Sequence, residues 1–137
     1  MNLYVIDTSV TLAWYLTEEY SSAAREWQDL LLTGKARLLV PSLHYWEFAN
    51  ALRALVQRGE IEEAAAHELF DLHLDAPLEL AEPDRREVLK AAFEYGATAY
   101  DAVFIALAIA REVQLVTAER TTTRWVARLG KRMVAER

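Results

Sequence analysis

The sequence contains no cysteine and little glycine or proline, with four and three residues of these types among 137. The lack of cysteine excludes a disulfide scaffold, a cysteine-ligated zinc or iron–sulfur site and a thiol nucleophile. The scarcity of glycine and proline, together with an apolar share of 53 %, excludes a collagen-like or disordered chain. The length is typical of one domain, which we expect to span residues 1–137.

Long hydrophobic runs are also missing. The longest, Ala102–Ala110, has nine residues, whereas a membrane-spanning helix needs about 18 or more. Near the start, Asp7 interrupts the apolar run Leu3–Val10, which argues against a secretory signal. We therefore expect a cytoplasmic protein with no membrane association.

The net charge is −6, which by itself argues against non-specific binding of nucleic acid. The charge is unevenly distributed, however. Residues 120–137 hold six basic side chains and one acidic one, whereas residues 1–119 hold nine basic and 20 acidic ones. An acidic body with a basic end suits a site that collects metal cations beside a patch that can hold an anion.

Short apolar segments alternate with longer helical ones along the chain. The pattern predicts strands at Leu3–Ile6, Arg37–Val40, Pro77–Leu80, Gln114–Thr117 and Lys131–Ala135. It predicts helices at Thr8–Leu16, Ser21–Leu32, Leu43–Arg58, Glu60–Leu74, Pro83–Tyr95, Ala99–Glu112 and Thr121–Leu129. This alternation predicts an α/β fold with a mostly parallel sheet, helices on both faces and a site at the carboxyl ends of the strands.

Two acidic residues directly follow predicted strands. Asp7 ends the first strand and would stand at the carboxyl edge of the sheet, although it also suits the N-cap of the next helix. Glu119 follows the strand that begins at Gln114, and its alternative is a loop residue paired with Arg120 or Arg124. Glu119 alone carries little information about function.

Two further acidic residues lie in predicted helices. Asp101 precedes nine apolar residues, so we expect partial burial, which is costly for a carboxylate without a cation or other partner. Its alternative role is that of a first-turn acid that interacts with the helix dipole. Glu47 lies beside the apolar stripe of its helix, and its alternative is a solvated glutamate.

Together these four carboxylates predict a metal site, because the ends of parallel strands and the helices packed on them converge. Four carboxylates in one pocket disfavour one another's ionisation, and a divalent cation relieves that repulsion. Mg²⁺ and Mn²⁺ prefer oxygen ligands and are commonly held by carboxylates together with substrate phosphates. The chemistry this implies is metal-assisted attack of water on a phosphodiester.

Four segments carry a family resemblance that covers essentially the whole chain. They are VIDTS at Val5–Ser9, WEFANAL at Trp46–Leu52, AYDAVFIALA at Ala99–Ala108 and LVTAE at Leu115–Glu119. The chain resembles the PIN-domain ribonucleases and, within them, the small VapC-type toxins of prokaryotic toxin–antitoxin pairs. The resemblance implies a three-layer α/β/α sandwich with Mg²⁺- or Mn²⁺-dependent endoribonuclease activity, often as a homodimer and inhibited by a small antitoxin.

The resemblance also assigns residues to the site. It implies that Asp7, Glu47, Asp101 and Glu119 are the catalytic carboxylates and that they bind the metal, with support from the hydroxyl of Thr8 or Ser9. The last acidic position of the family is more often aspartate, and this chain has Glu119 there. Because glutamate is one methylene longer, Glu119 could instead reach the metal through water.

Basic and aromatic side chains near these acids indicate possible binding surfaces. Arg120, Arg124 and Arg128 are spaced by four and would line one helix face, either solvated or, for Arg120 and Arg124, in contact with RNA phosphates. The aromatic residues of the first three predicted helices favour core packing or an apolar groove for the antitoxin. The candidates for that groove are Trp14, Tyr15 and Trp46.

Other interpretations remain open. The three histidines, His44, His67 and His73, form no site by spacing. A non-catalytic interaction domain with the same fold, or a PIN nuclease that processes RNA without being a toxin, would keep the same motifs. A phosphoaspartate switch or phosphatase is disfavoured, because Ser9 stands where a haloacid-type phosphatase has a second acid and no lysine follows the strand at Gln114.

Overall fold

The computed structural model describes residues 2–131 and 133–135 and contains a five-stranded sheet in the order β3-β2-β1-β4-β5. The strands are β1 Leu3–Ile6, β2 Arg37–Val40, β3 Glu79–Leu80, β4 Gln114–Val116 and β5 Val134–Ala135. Every pairing in the sheet is parallel. The predicted α/β class with a parallel central sheet is therefore confirmed. Arg132, inside the last predicted strand, lies outside the described residues, as does Arg137 of the basic end.

Seven helices connect these strands in the described part of the chain. They are α1 Thr8–Ala13, α2 Ser21–Leu32, α3 Leu43–Gln57, α4 Glu63–Leu74, α5 Arg85–Tyr95, α6 Ala99–Arg111 and α7 Arg124–Leu129. Across residues 2–131 and 133–135, no single helix has the length and apolar character to cross a membrane, and only α5 and α6 taken together, bent by 108°, pass that test.

Six of the seven helices differ from the sequence prediction in their bounds, and the difference is three residues at one end of α1, α4 and α7. Helix α1 ends at Ala13 instead of Leu16, because the next two amide groups bond to carbonyls three residues back and tighten the chain into a turn. Helix α7 starts at Arg124 instead of Thr121. The amide of Thr123 donates to the carbonyl of Arg120 in a preceding turn, and the extended backbone of Thr123 caps the helix.

Both faces of the sheet are buried. Consecutive side chains along a strand point to opposite faces, and each packs in a different core cluster. Val5 packs in a cluster with residues of α5, α6 and α7, whereas its neighbour Ile6 packs in a second cluster with residues of α1 and α2. Leu115 and Val116 on β4 divide in the same way. Helices therefore cover both sides of the sheet in three layers, as predicted.

The strand order places a crevice at the carboxyl ends of β1 and β4. Strand β1 is central: β2 and β3 lie in order on one side of it, and β4 and β5 lie in order on the other. Ligands of open α/β sheets bind where the strand order reverses in this way. At that point Ile6 pairs with Val116, and the amide of Asp7 donates to the carbonyl of Val116 over 2.9 Å.

Candidate active site

Asp7 is both the last residue before α1 and its N-cap, so the two interpretations of its sequence position are compatible. The amide of Ser9 donates to Asp7 Oδ1 over 3.4 Å, and the hydroxyl of Thr117 donates to Asp7 Oδ2 over 2.8 Å. Burial raises the pKa of Asp7 to about 6, and the carboxylate of Asp101 adds to this rise. The hydrogen bonds from Thr117 and Ser9 oppose it by stabilising the charged form.

Thr117 is a site residue that the sequence analysis missed. Its side chain is buried, and its hydroxyl oxygen also accepts the amide of Glu119 over 3.1 Å. One hydroxyl therefore fixes Asp7 at the end of β1 and the backbone that carries Glu119 after β4. Its position directly after β4, next to the strand that ends at Asp7, is the signal that would have identified it.

Glu47 projects from α3 and is partly buried. The hydroxyl of Thr8 donates to Glu47 Oε1 over 2.9 Å. Burial raises the pKa of Glu47, and the carboxylates of Asp7 and Asp101 raise it further, while the hydrogen bond from Thr8 lowers it. Glu47 is therefore not the freely solvated residue that its alternative interpretation describes.

Asp101 lies in the first turn of α6, where the side chain of Thr98 caps the helix by accepting the amide of Asp101 over 3.1 Å. Burial raises the pKa of Asp101, with a further rise from the carboxylate of Glu119. Side-chain hydrogen bonds with Thr98 and Trp125 lower it. The carboxylate thus benefits from the helix N-terminus and still faces other acids.

Glu119 lies at the exposed rim of this group. Its Oε2 accepts a long hydrogen bond of 3.4 Å from the hydroxyl of Thr123. Its link to the other acids is electrostatic, through the rise that it causes in the pKa of Asp101.

The four carboxylates therefore share one region, and each is held by donors of its own. Asp101 repels both Asp7 and Glu47, and Asp7 repels Glu47. These side chains are not close enough together to coordinate one ion as a group. Within the part of the chain that the structure describes, no three acidic or histidine side chains are grouped to hold one ion. This corrects the expectation that the carboxylates of Asp7, Glu47 and Asp101 converge on a single ion. Hydrogen bonds from Thr117, Ser9 and Thr8 hold Asp7 and Glu47 where they are.

The donor chemistry nevertheless fits Mg²⁺ or Mn²⁺. All four candidate ligands are carboxylates, and Mg²⁺ usually keeps several waters and takes one or two protein carboxylates directly. Asp7, Glu47 and Asp101 are all suited to this role, because each is a partly buried acid with a raised pKa and no basic partner among the causes of its shift.

Ser9 and Thr8 support the site through different acids. The hydroxyl of Ser9 accepts the amide of Ala118 over 3.2 Å and also bonds to Asp7, so it links the ends of β1 and β4 a second time. Thr8 is buried and directs its hydroxyl to Glu47.

Arg120, Arg124 and Arg128 do not line one helix face as predicted, because Arg120 lies in the turn before α7. Arg128 Nη1 donates to the carbonyl of Glu94 over 2.7 Å. Arg124 lies over Gly96, where an added Cβ would be only 2.8 Å from Arg124 Nε. All three arginines are exposed. Arg124 and Arg128 lie against the C-terminal end of α5, which attracts cations, whereas Arg120 follows Glu119 directly in the chain.

The three aromatic residues proposed for a partner groove differ in how exposed they are in the structure. Trp14 is 4 % exposed, and its indole N–H donates to the carbonyl of Ala24 over 2.8 Å, so it is a core residue and not a groove residue. Tyr15 is partly buried against Phe48. Trp46 is 69 % exposed and is the only one of the three with a largely free surface.

Sequence spacing also missed a histidine pair. His44 and His73 are 29 positions apart, yet their Nε2 atoms lie 2.8 Å from each other in the core. His67, the third histidine, is exposed on α4 near Glu63.

Comparisons with known proteins agree with this architecture. The family model described as the PIN domain matches residues 4–124. Among solved structures, the crystal structure of PAE2754 from Pyrobaculum aerophilum is similar, with a TM-score of 0.70 and 26 % sequence identity. The similarity covers 92 % of this chain and 85 % of that one. None of the curated proteins matches this chain.

Proposed function

This chain belongs to the PIN domain family, and on that premise we propose that it is a Mg²⁺- or Mn²⁺-dependent endoribonuclease that hydrolyses phosphodiesters of single-stranded RNA. The observation that carries the proposal is the group of acids near the carboxyl ends of β1 and β4, where burial and neighbouring carboxylates, including that of Glu119, raise the pKa values of Asp7, Glu47 and Asp101. A structural role does not require several carboxylates to repel one another in a partly buried crevice.

The bound divalent ion would polarise the phosphoryl group and lower the pKa of an attacking water. Asp7 and Asp101 would hold the ion directly, with Glu47 beside them and Glu119 reaching it through water. Thr117 and Ser9 orient the carboxylate of Asp7, and their hydrogen bonds favour its charged form. Glu47 is oriented by Thr8 and can accept a proton from water, because burial and the neighbouring carboxylates raise its pKa from the ordinary value.

RNA is a polyanion, so its approach to an acidic chain of net charge −6 needs local compensation. The cation would provide part of it. Arg120 provides the rest in this proposal, because it is exposed next to Glu119 while Arg124 and Arg128 are packed on the end of α5.

We further propose that the enzyme is a cytoplasmic toxin neutralised by a small antitoxin. A partner arginine would bind the acidic crevice, since a guanidinium offers two parallel hydrogen bonds to carboxylates. This arginine would displace the metal and would at the same time block binding of the RNA phosphate. Trp46 supports this idea because it combines 69 % exposure with a position one residue before Glu47. Exposed Leu89 and Phe93, one turn apart on α5, support contact with a second copy in a homodimer.

A PIN nuclease of RNA processing is the second candidate, and a non-catalytic interaction domain is the third. Growth measurements separate them: a toxin stops the growth of host cells, its Asp101→Asn variant does not, and the protein encoded immediately upstream restores growth on co-expression. Cleavage of RNA without growth arrest would favour processing.

The activity itself is tested with the purified chain and a labelled single-stranded RNA. We expect cleavage in Mg²⁺ or Mn²⁺ and none after chelation. Cleavage that continues in excess chelator, or no cleavage with either ion, would contradict the proposal.

A further inference from the structure

A continuous path of hydrogen bonds leads from Glu47 into the core. The hydroxyl of Thr8 lies 2.9 Å from Glu47 Oε1 and 3.0 Å from His44 Nδ1. His44 Nε2 lies 2.8 Å from His73 Nε2, and His73 Nδ1 lies 2.9 Å from the hydroxyl of Tyr15. We call this path, from Tyr15 through His73, His44 and Thr8 to Glu47, the relay. It connects the end of α1 with α4 and α3.

The two imidazoles of the relay are neutral. Both are completely buried, and a distance of 2.8 Å between two Nε2 atoms requires one hydrogen between them. Burial lowers the pKa of His44 to about 3 and that of His73 to about 4. Each ring therefore has one N–H donor and one nitrogen acceptor at neutral pH.

The chemistry of the members fixes the direction of every bond when Glu47 is charged. A carboxylate only accepts, so the single hydrogen of the Thr8 hydroxyl points to Glu47. Thr8 Oγ1 must then accept from Nδ1–H of His44, which leaves His44 Nε2 as an acceptor for Nε2–H of His73. His73 Nδ1 accepts from the hydroxyl of Tyr15. All four donors point toward the site.

Packing holds this arrangement in place. The ring of Phe48 stacks on His73 with centroids 4.1 Å apart and an interplanar angle of 6°. Trp14 and Tyr15 meet His73 edge to face at 5.9 and 5.5 Å. Rings confined on several sides cannot turn to exchange donor for acceptor without moving their neighbours.

We infer that His44 and His73 are positioning residues that set the hydrogen of Thr8 toward Glu47 and so hold its carboxylate in the orientation that the reaction uses. This inference rests on the proposed nuclease function. It assigns a role to two core histidines that touch neither the metal nor RNA. Partners of this kind behind a ligating or catalytic group typically change activity about 10- to 100-fold when they are removed.

Two amide substitutions of His44 separate positioning from packing. In His44→Asn the amide N–H₂ occupies the place of Nδ1 and still donates to Thr8. In His44→Gln the amide reaches the place of Nε2 and leaves Thr8 without that donor. We expect kcat for RNA cleavage to be about tenfold lower in His44→Gln than in His44→Asn, with KM nearly equal in both. The matched control is His67→Gln, on the exposed face of α4, with no change in kcat or KM.

The tautomers provide a readout that does not depend on activity. Nitrogen chemical shifts of the labelled wild-type protein should show His44 protonated at Nδ1 and His73 at Nε2, with both rings neutral at pH 7. The opposite tautomers would overturn the relay. Equal kcat in His44→Asn and His44→Gln would overturn the positioning role. If the tautomers are as expected but the wild type cleaves no RNA, then the proposed function fails and the positioning role falls with it.

Discussion

The hydroxyl of Thr117 donates a hydrogen bond of 2.8 Å to Oδ2 of Asp7, across 110 positions of sequence. It joins the carboxyl end of β4 to that of β1, where the strand order of the sheet reverses. The same hydroxyl oxygen accepts the amide of Glu119. A single small side chain thus positions two of the four acidic residues in the candidate site.

Thr117→Val tests this contact with little change in shape. We expect kcat for RNA cleavage to fall by about 10-fold or more, because Asp7 loses the donor that orients it. Steady-state cleavage assays measure the effect, and Thr121→Val, at an exposed turn position, is the matched control. If Thr117→Val were as active as that control, the hydrogen bond to Asp7 would have no role in catalysis.

The raised pKa of Asp7 predicts a pH-dependent cost in stability. The charged form is disfavoured in the folded state, so stability is lost as pH rises from the unfolded value of 3.8 through about 6. A pKa rise of this size lowers the free energy of unfolding by about 3 kcal/mol when Asp7 is fully ionised. In chelator, Asp7→Asn should therefore be more stable than the wild type at pH 7.5, and the gain should shrink toward pH 4.

Urea unfolding at several pH values measures this difference. Asp29→Asn, which removes an exposed carboxylate from α2, serves as the control and should show no such growth with pH. A gain for Asp7→Asn that is the same at pH 4 and pH 7.5 would contradict the account of Asp7 as a buried, repelled carboxylate.

Metal binding should stabilise the folded chain, because a cation offsets the repulsion among Asp7, Glu47 and Asp101. Added Mg²⁺ or Mn²⁺ should raise the Tm, and chelator should reverse the rise. Asp101→Asn should show a smaller shift, measured by thermal unfolding across a metal titration. Equal shifts in both proteins would mean that the ion binds elsewhere.

Arg120 should contribute to RNA binding and little to stability. Arg120→Ala is expected to raise KM and to reduce the slope of log KM against log salt by about 0.7, the value for one phosphate contact on a single strand. Arg111→Ala, at the exposed end of α6, is the control. In contrast, Arg124→Ala should lower stability, because Arg124 packs over Gly96. An unchanged salt slope in Arg120→Ala would remove this residue from the RNA site.

Local patterns in the sequence predicted the elements that carry the site. The bounds of β1 and β2 are those predicted, and the consecutive Val5 and Ile6 divide between the two faces, as a doubly covered strand requires. The position of Asp7 after a buried strand and of Asp101 in a first turn followed directly from these elements. The parallel sheet followed from the alternation of strands and helices, but its strand order β3-β2-β1-β4-β5 was not predicted.

The features that sequence analysis missed depend on contacts between distant residues. His44 and His73 lie on different helices, and neither spacing nor composition predicts that α3 and α4 bring their rings together. The sequence left Trp14 open as a core residue or a groove candidate, and the packing of α1 against α2 buries it. The exact positions of the carboxylates depend on donors such as Thr117. The expectation that Asp7, Glu47 and Asp101 converge on a single ion was therefore wrong.

Asp101→Asn tests the central claim most directly, since it removes a charge from the acidic crevice with almost no change in shape. The measurement is the cleavage rate of a labelled single-stranded RNA in Mg²⁺, beside the wild type and the exposed control Asp71→Asn on α4. We predict that Asp101→Asn folds normally and loses cleavage by a factor of about 10² to 10³, the size of effect seen when one electrostatically stabilising group of an active site is removed. Cleavage by a folded Asp101→Asn at the wild-type rate would contradict the assignment of these acids as a nuclease site.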